Sequence, residues 1–266
     1  GKFLLEARSL GYATIVQLIE IPASGKIEIR LSSAITELNE VVVSGVSHST
    51  ELKKNPMPVA TLNAEALLRN DASNIIDNIS QKPGVFQVTT GVAISKPIVR
   101  GLGGSRVITL YDGIRQEGQQ WGDEHGVEID EFAVDRVEII KGAGSLLYGS
   151  DGIGGVINLL PAEPASQGTV DGQWLSHYQT NNGLIANSIV VRGHGKKGFY
   201  GTLRGSQKAA HAYRNKFDDH LANSGFHEQN ITIAGGMNRA WGYTQVLLSS
   251  FNQQVGLTEG ERDTQG

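Results

Sequence analysis

The stretch that decides the fold lies between residues 83 and 158 and is rich in glycine and short β-prone runs. It contains five motifs in this order: PGV (83–85), VRGLGGSRV (99–107), LYDGI (110–114), DRVEIIKG (135–142) and LYGSDGIGGVIN (147–158). Glycine adopts positive φ at little steric cost, so Arg100-Gly101 and Gly103-Gly104 predict sharp backbone turns. The segment is therefore predicted to form short strands joined by tight turns that require glycine.

Short helices accompany these strands. Strand candidates lie at 85–88, 98–100, 107–110 and 136–140, and helix candidates lie at 63–68 and 74–79. Ser73 is the expected cap of the second helix, and Pro83-Gly84 ends it. Strands mixed with short helices predict an α+β unit, which we place at residues 55–162.

The region 168–266 has no helical period and contains five strand candidates, at 169–179, 184–195, 198–209, 229–237 and 243–253. Within the first, Val170, Trp174 and Tyr178 alternate with more polar residues. Tight turns follow the second and fourth candidates, and a long polar loop, 210–228, follows the third. This pattern is typical of outer-membrane barrel strands. A soluble β-sandwich has the same alternation and stays open as an alternative.

The first 54 residues have a different character. Residues 1–38 contain three short β-prone runs, which cannot bury a core alone and predict the trailing part of a β-sandwich. Residues 39–54 hold an isolated β-branched run followed by a polar stretch.

Composition excludes several classes of function. The chain has 266 residues, 23 Lys+Arg and 27 Asp+Glu, a net charge of −4, and therefore lacks the basic excess of a nucleic-acid-binding protein. It has no cysteine, which excludes disulfides, cysteine nucleophiles and Cys-ligated zinc. The run GAGS (142–145) follows Lys141 instead of preceding a lysine, so it does not fit a phosphate-binding loop.

Taken together and in order, the five motifs resemble the plug domain of TonB-dependent outer-membrane receptors. One departure is Ala143, where the family commonly has proline. The resemblance implies that 1–38 is the end of a carboxypeptidase-regulatory-like β-sandwich, as in Bacteroidetes-type receptors. It implies that 168–266 is the start of an antiparallel transmembrane β-barrel. Plugged barrels have about 22 strands, so we expect this chain to be a fragment.

The resemblance also assigns roles to residues outside the motif glycines. Glu40, Val41, Val42 and Val43 look like a TonB box, which would add an edge strand to the periplasmic protein TonB. The alternative is that Val41–Val43 is the last sandwich strand. Arg100, Arg136 and Glu138 resemble positions that form ion pairs between plug and barrel. Gly152, Gly154 and Gly155 are expected to let the last plug strand approach the barrel wall.

The segment QQWGDEHG (119–126) lies where the family places an apical plug loop that faces the substrate. We expect substrate contacts from Gln120, Trp121, Asp123, Glu124 and His125. Asp123, Glu124 and His125 offer two carboxylates and an imidazole, a set that suits a divalent transition metal. A solvated polar loop is the alternative, since three consecutive residues cannot easily chelate one ion.

The expected function is transport, not catalysis. The resemblance implies a receptor in the outer membrane of a Gram-negative bacterium, with its N-terminal segment and plug accessible from the periplasm. Its partners would be TonB, outer-membrane lipids and a small-molecule or metal substrate, with no nucleic acid. No cofactor is expected beyond a transported metal ion or metal complex such as a siderophore. Alternatives are a soluble or surface ligand-binding module without transport, and a hydrolase using Asp123, Glu124 and His125, for which no nucleophile–base pair is placed.

Overall fold

A computed structural model of the protein describes residues 58–69, 72–122, 124–216, 219–239 and 241–257, residue 29, and the backbone of four short strands nearer the N-terminus. These strands are β1 (Lys2–Ala7), β2 (Ile15–Glu20), β3 (Val41–Val42) and β4 (Thr50–Glu51). β1 pairs antiparallel with β2, and β3 pairs antiparallel with β4. The third expected sandwich strand lies outside the described residues except for residue 29.

The α+β unit follows from residue 59. In chain order it contains β5 (Val59–Asn63), α1 (Ala64–Arg69), α2 (Ile75–Ile79), β6 (Val85–Gly91), β7 (Ile94–Val99), β8 (Val107–Tyr111), β9 (Ile114–Gln116), β10 (Arg136–Ile140) and β11 (Gly155–Leu160). β6 and β7 form a hairpin, and the other strands form one sheet in the order β5-β10-β11-β8-β9. Neither described helix has the length and hydropathy of a membrane-spanning helix.

The core of this unit lies on both faces of its central strands. β11 pairs antiparallel with β10 and parallel with β8, so Ile157 lies opposite both Ile139 and Thr109. On one face, Ile75 and Ile76 of α2 pack with Ile139 in the larger apolar cluster. Burying such a side chain contributes about 1.5–3 kcal/mol. Hydrophobic burial within the unit therefore stabilises it.

Helix α2 begins one residue later than its expected cap implies. The Asn74 side chain accepts hydrogen bonds from the backbone N–H groups of Ile76 and Asp77, both at 3.0 Å. Asn74 has an extended backbone, which aims its side chain at these unpaired donors. The expectation that Ser73 caps the helix is wrong, because Ser73 lies one position too early.

The motif glycines serve the interior of the α+β unit. Arg100 and Gly101 have φ of 53° and 80°, which confirms the expected sharp turn. A Cβ on Gly155 would lie 2.7 Å from the carbonyl oxygen of Ile140, and one on Gly154 would lie 2.9 Å from that of Arg106. Because these oxygens belong to the same unit, the expectation that these glycines approach the barrel wall is wrong.

The remaining strands form a second sheet, here called the wall. They are β12 (Val170–Gln179), β13 (Leu184–His194), β14 (Phe199–Ala210), β17 (Phe226–Arg239) and β18 (Gly242–Val255), paired antiparallel in that order. A small hairpin, β15 (Arg214–Asn215) with β16 (Asp219–His220), occupies part of the loop after β14. The five expected strands are confirmed, although β17 begins at Phe226, three residues before the expected start.

The wall has the reverse polarity of a soluble sheet. One face exposes large apolar side chains, among them Val170, Trp174, Tyr178, Ile185, Ile189, Leu203, Ile231 and Ile233. The other face, which packs on the α+β unit, buries polar ones: Ser188, Arg204, Ser206, Lys208, Glu228, Asn230 and Thr232. A β-sandwich buries its apolar face, whereas outer-membrane barrel strands point apolar side chains to lipid and polar ones inward. The wall therefore consists of barrel strands.

Candidate functional site

The two ends of the wall differ in their connections. Tight turns join β13 to β14 and β17 to β18 at one end, the tight-turn end. The long connection 211–225 joins β14 to β17 at the other, the long-loop end. The tip of the β6–β7 hairpin lies at the long-loop end, where a Cβ on Gly91 would be 3.7 Å from Cγ1 of Val255.

The segment 119–128 contains the residues expected to contact substrate, and for that expectation it is here called the substrate loop; it packs against strand β7 of that hairpin. The N–H of Val127 donates to the carbonyl of Ser95 at 3.3 Å, and the Lys96 ammonium donates to the carbonyl of Gly122. The buried Gln119 links the loop to strand β8, since its Nε2 donates to Thr109 Oγ1 at 3.1 Å. The loop is thereby held close to the long-loop end.

The side chains of the substrate loop are mostly accessible. Trp121 is 79% exposed. His125 lies between two carboxylates, with Nδ1 3.3 Å from Glu128 Oε1 and Nε2 3.8 Å from Glu124 Oε1. Glu128 is a residue that the sequence reasoning missed. Its only signal was an acidic residue three positions after His125, a spacing without meaning in an irregular loop.

The two remaining residues expected to contact substrate are Gln120 and Asp123. Gln120 has a buried Nε2 with no hydrogen-bond partner among the described residues. Asp123 lies outside the described residues. The structure thus brings two of the three expected metal ligands, Glu124 and His125, within reach of one another.

A buried charge cluster joins the α+β unit to the wall. It consists of Asp130 and Glu131 from the unit with Lys208 and Glu228 from β14 and β17, and we call it the interface ion cluster. The Lys208 ammonium contacts the Glu131 carboxylate and lies 2.9 Å from Glu228 Oε1. Ser206 Oγ on the wall donates to Asp130 Oδ2 at 2.7 Å. These contacts fix the unit to the inner face of the wall.

Local hydrogen bonds hold two acidic members of the cluster, Asp130 and Glu228, in place. Asp130 Oδ1 accepts from the N–H of Phe132 at 3.1 Å and so caps the short 3-10 turn Glu131–Ala133. The Glu228 carboxylate accepts from Asn230 Nδ2 at 2.7 Å and from Gln253 Nε2 at 2.8 Å. The sequence reasoning missed this cluster, because Glu131 and Lys208 are 77 positions apart.

The cluster holds three carboxylates and one ammonium in a dry environment. The side chains of Lys208 and Glu228 are 2% and 1% exposed. Burial raises the pKa of Glu131 to about 8, against the opposing attraction of Lys208. Burial also raises the pKa of Asp130. Ligand oxygens of Asp130, Glu131 and Glu228 lie within 4.8 Å of one another, as in a cation site. The Lys208 ammonium supplies a positive charge to two of them.

The residues expected to pair with the barrel make a different contact. Arg136 Nε lies 3.2 Å from Glu138 Oε1, and both residues are on β10. The guanidinium of Arg100 lies beside Gly142, where a Cβ would be 2.9 Å away. Arg136 and Glu138 therefore pair with each other inside the α+β unit, while Asp130 and Glu131 contact the wall.

The expected TonB box is described in part. Val41 and Val42 form β3, with Val42 opposite Thr50 of β4. Glu40 and Val43 lie outside the described residues. Strand addition to TonB stays a prediction.

Comparisons with known proteins bear on both parts of the chain. Residues 51–156 match the sequence profile of the TonB-dependent Receptor Plug Domain. The iron-regulated outer membrane virulence protein of Vibrio cholerae is 31% identical over 134 residues, 48% of this chain and 20% of the relative. The hemin receptor of Yersinia pestis is 33% identical over 127 residues, 47% of this chain and 19% of the relative. The chain spans about a fifth of the length of these relatives.

Solved structures share the fold at low sequence identity. A siderophore receptor from Acinetobacter baumannii gives a TM-score of 0.61 at 18% identity, covering 76% of this chain and 32% of the receptor. The pyoverdine outer membrane receptor of Pseudomonas aeruginosa gives 0.62 at 17% identity, covering 80% and 30%. A copper transporter gives 0.64 at 18% identity, covering 75% and 31%.

Three observations agree on the family. The profile match covers most of the α+β unit, the solved receptors have the same arrangement of this unit and the wall, and the wall has the polarity of barrel strands. The α+β unit is the plug, and the five strands of the wall have the polarity of barrel strands and pack against it. The chain carries the plug domain of the TonB-dependent receptors at residues 51–156, followed by strands with the polarity of outer-membrane barrel strands.

Proposed function

We propose that the protein imports a scarce nutrient across the outer membrane with energy transmitted by TonB. A metal ion or a metal complex such as a siderophore is the favoured nutrient. The observation that carries this proposal is the position of the plug. It is docked on the polar face of the barrel strands by a buried ion cluster, while its substrate loop stays open at the long-loop end.

The substrate loop has the chemistry for such a nutrient. Trp121 offers a large exposed ring, which suits contact with a flat or apolar part of a complex. Gln120, Asp123, Glu124 and His125 add polar contacts, and Glu128 beside His125 extends the set. Imidazole and carboxylate together suit a divalent transition metal. The relatives named for iron regulation and hemin support a nutrient that contains a metal.

Energy coupling would act on the other side of the plug. In this proposal, Glu40 to Val43 add a strand to the sheet of TonB through backbone hydrogen bonds. A pull on this segment is resisted by the interface ion cluster, since breaking a buried ion pair is costly. The pair Arg136–Glu138 and the nearby Arg100 would stiffen the plug under load.

The alternative of a soluble ligand-binding module has less support. Such a module would expose Trp174, Ile189 and Leu203 to water, and each is more than half exposed on the wall. A contiguous apolar face of this kind needs a lipid or protein cover.

The import proposal is tested by growth of a deletion strain under limitation for single nutrients: iron as siderophore, hemin, vitamin B12, copper or zinc. We expect one limitation to abolish growth and the full-length gene to restore it. Val42→Pro should abolish uptake but leave nutrient binding intact, because proline removes a ladder donor. Ser47→Pro in the adjoining polar stretch is the matched control. Normal uptake by the Val42→Pro variant contradicts the TonB-box assignment.

Calorimetry of the full-length protein with Zn²⁺ or Cu²⁺ tests the substrate loop as a metal site. His125→Ala should weaken binding, whereas His220→Ala in the long connection should not. Equal affinity of the wild type and His125→Ala would remove the loop as a metal site.

A further inference from the structure

Two cavities lie between the plug and strands β17 and β18. The upper seam cavity, nearer the long-loop end, has a volume of about 130 Å³, and the lower seam cavity has about 160 Å³. Tyr111 and Ala133 of the plug and Thr232 and Leu247 of the wall line both. Because four residues are shared, the cavities adjoin, and these residues form the boundary between them.

The two cavities follow the plug–wall seam for much of its length. Along β18 they extend from Phe251 in the upper to Gln245 in the lower, which at the rise of a strand is about 20 Å. The upper cavity reaches Glu128, whose carboxylate contacts His125 of the substrate loop. The lower cavity reaches Glu163, close to the tight-turn end. The two cavities therefore follow one another along the seam, from the substrate loop towards the opposite end of the plug.

Two buried oxygen atoms face this seam without a hydrogen-bond partner among the described residues. They are the Tyr111 hydroxyl and Asn230 Oδ1, on residues that are 6% and 3% exposed. Asn230 Nδ2 is already used, since it donates to Ser206 and Glu228. Buried polar atoms in folded proteins are nearly always satisfied by protein, water or an ion. These two atoms therefore indicate a polar occupant in the upper seam cavity.

The charge of the upper cavity indicates the sign of that occupant. Among the described residues that line it, Glu128 and Asp130 are acidic and none is Lys, Arg or His. Two cations lie nearby: the Lys208 ammonium contacts Glu131 and Glu228, and the Arg204 guanidinium donates to Ser188 and acts electrostatically on Tyr111 and Asp130. They face four acidic residues, Glu128, Asp130, Glu131 and Glu228. Burial raises the pKa of Tyr111 to about 12, so its hydroxyl stays neutral. Carboxylate, amide and hydroxyl oxygens form a ligand set for a hard divalent cation.

We propose that the upper seam cavity binds a divalent cation between Tyr111, Asn230 and Asp130. The cation lies on a hydrated path that leads from the substrate loop past the docked plug. A water molecule needs about 10–15 Å³ of such a cavity, so the upper seam cavity has room for an ion with several waters. The direction of travel rests on the proposed import function, whereas the binding site rests on the lining of the cavity and its two unpartnered oxygen atoms.

The test uses Mn²⁺ as the probe, because oxygen ligands suit this ion and free Mn²⁺ is counted directly by electron paramagnetic resonance. Full-length protein is titrated in a His125→Ala background, which weakens binding at the substrate loop. We expect one remaining site. Tyr111→Phe removes only the unpartnered oxygen and should raise the Kd of that site about tenfold, as losses around metal ligands typically do. Tyr213→Phe, which lies by the long connection, is the matched control.

A second variant tests the path without removing a ligand. Thr232→Leu adds volume at the boundary between the cavities and should slow Mn²⁺ entry into vesicles containing the full-length protein. Absence of a Mn²⁺ site in the His125→Ala background, or equal Kd values for Tyr111→Phe and Tyr213→Phe, would overturn the proposed site. Entry at the wild-type rate in Thr232→Leu would overturn the path. The two proposals can fail separately. If Mn²⁺ binding depends on Tyr111 but the deletion strain shows no nutrient defect, the site is supported and import is refuted.

Discussion

The plug sheet and the wall sheet have five strands each but bury opposite kinds of side chain. In the plug, Val137 and Ile139 of β10 are fully buried among apolar neighbours. In the wall, the buried face holds Lys208 and Glu228, while Ile189 on the other face is 58% exposed. Both sheets are therefore built from regular strands, but the plug sheet buries apolar side chains and the wall sheet buries polar ones.

This contrast separates the contacts that stabilise the plug from those that attach it to the wall. The plug is stabilised by hydrophobic burial within itself, which does not depend on the wall. It is attached to the wall through polar contacts, such as Ser206 with Asp130 and Lys208 with Glu131. When the plug is displaced, these polar groups gain water as a partner, whereas the apolar cluster of Ala93 in the plug with Leu184 and Phe226 in the wall becomes exposed.

The largest expected effect comes from removing the one ammonium of the interface ion cluster. Lys208→Met leaves the three buried carboxyl groups of the cluster without their ammonium partner and should weaken plug docking by about 3–5 kcal/mol. The measurement is the urea concentration at which a protease cleaves the plug inside the folded full-length protein. Lys197→Met in the exposed tight turn is the control, and Glu228→Gln combined with Lys208→Met should recover part of the loss. The idea fails if Lys208→Met and Lys197→Met behave alike.

The next effect compares isoleucines from the two sheets. Ile139→Ala creates a cavity in the plug core and should cost about 2–5 kcal/mol. Ile231→Ala on the outer face of the wall should cost less than about 1 kcal/mol, because lipid fills the vacated space. Denaturant unfolding of both full-length variants in lipid vesicles checks this. Similar losses at the two positions would contradict the assigned polarity.

A change of one pH unit is expected to affect docking less than the Lys208→Met substitution does. The pKa of Glu131 is about 8 in the docked plug, above its ordinary value of 4.5. The docked state therefore keeps a proton that the hydrated carboxyl loses, so docking is strongest below pH 4.5 and weakens as the pH rises through 8. The slope reaches about 1.4 kcal/mol per pH unit. Burial acts in the same direction on Asp130.

The protease assay described for Lys208 measures this dependence when it is repeated between about pH 5 and pH 8. Glu131→Gln should flatten the profile, since it removes the group that titrates. A wild-type profile that rises with pH would show that the sign is wrong.

The smallest expected effect concerns the cap of α2. Asn74→Ala removes two hydrogen bonds to helix N–H groups and should destabilise the plug by about 1 kcal/mol. Ser73→Ala, one residue earlier, should leave the stability of the plug unchanged. Thermal unfolding of both variants separates the two positions.

Local patterns were enough to predict much of this fold. The wall strands were predicted within a few residues, because period-2 alternation depends only on neighbours along the chain. Strand β10 was predicted with the bounds it has, Arg136–Ile140, for the same reason. Strands β5 and β9 were missed, and β11 was expected as the last plug strand but without bounds. β11 starts within a glycine-rich motif, and its parallel pairing with β8 joins segments about 50 residues apart.

By itself, the sequence determined the order of the plug motifs, the alternation of apolar and polar residues along the wall strands and the exposed loop around Trp121. Each of these features depends only on residues that are neighbours along the chain. The tertiary structure alone decided which charges meet. It paired Arg136 with Glu138 inside the plug and brought Glu131 to Lys208 across the seam. Burial then determined the pKa shifts of the charged groups, because the loss of water around each group depends on packing by distant parts of the chain.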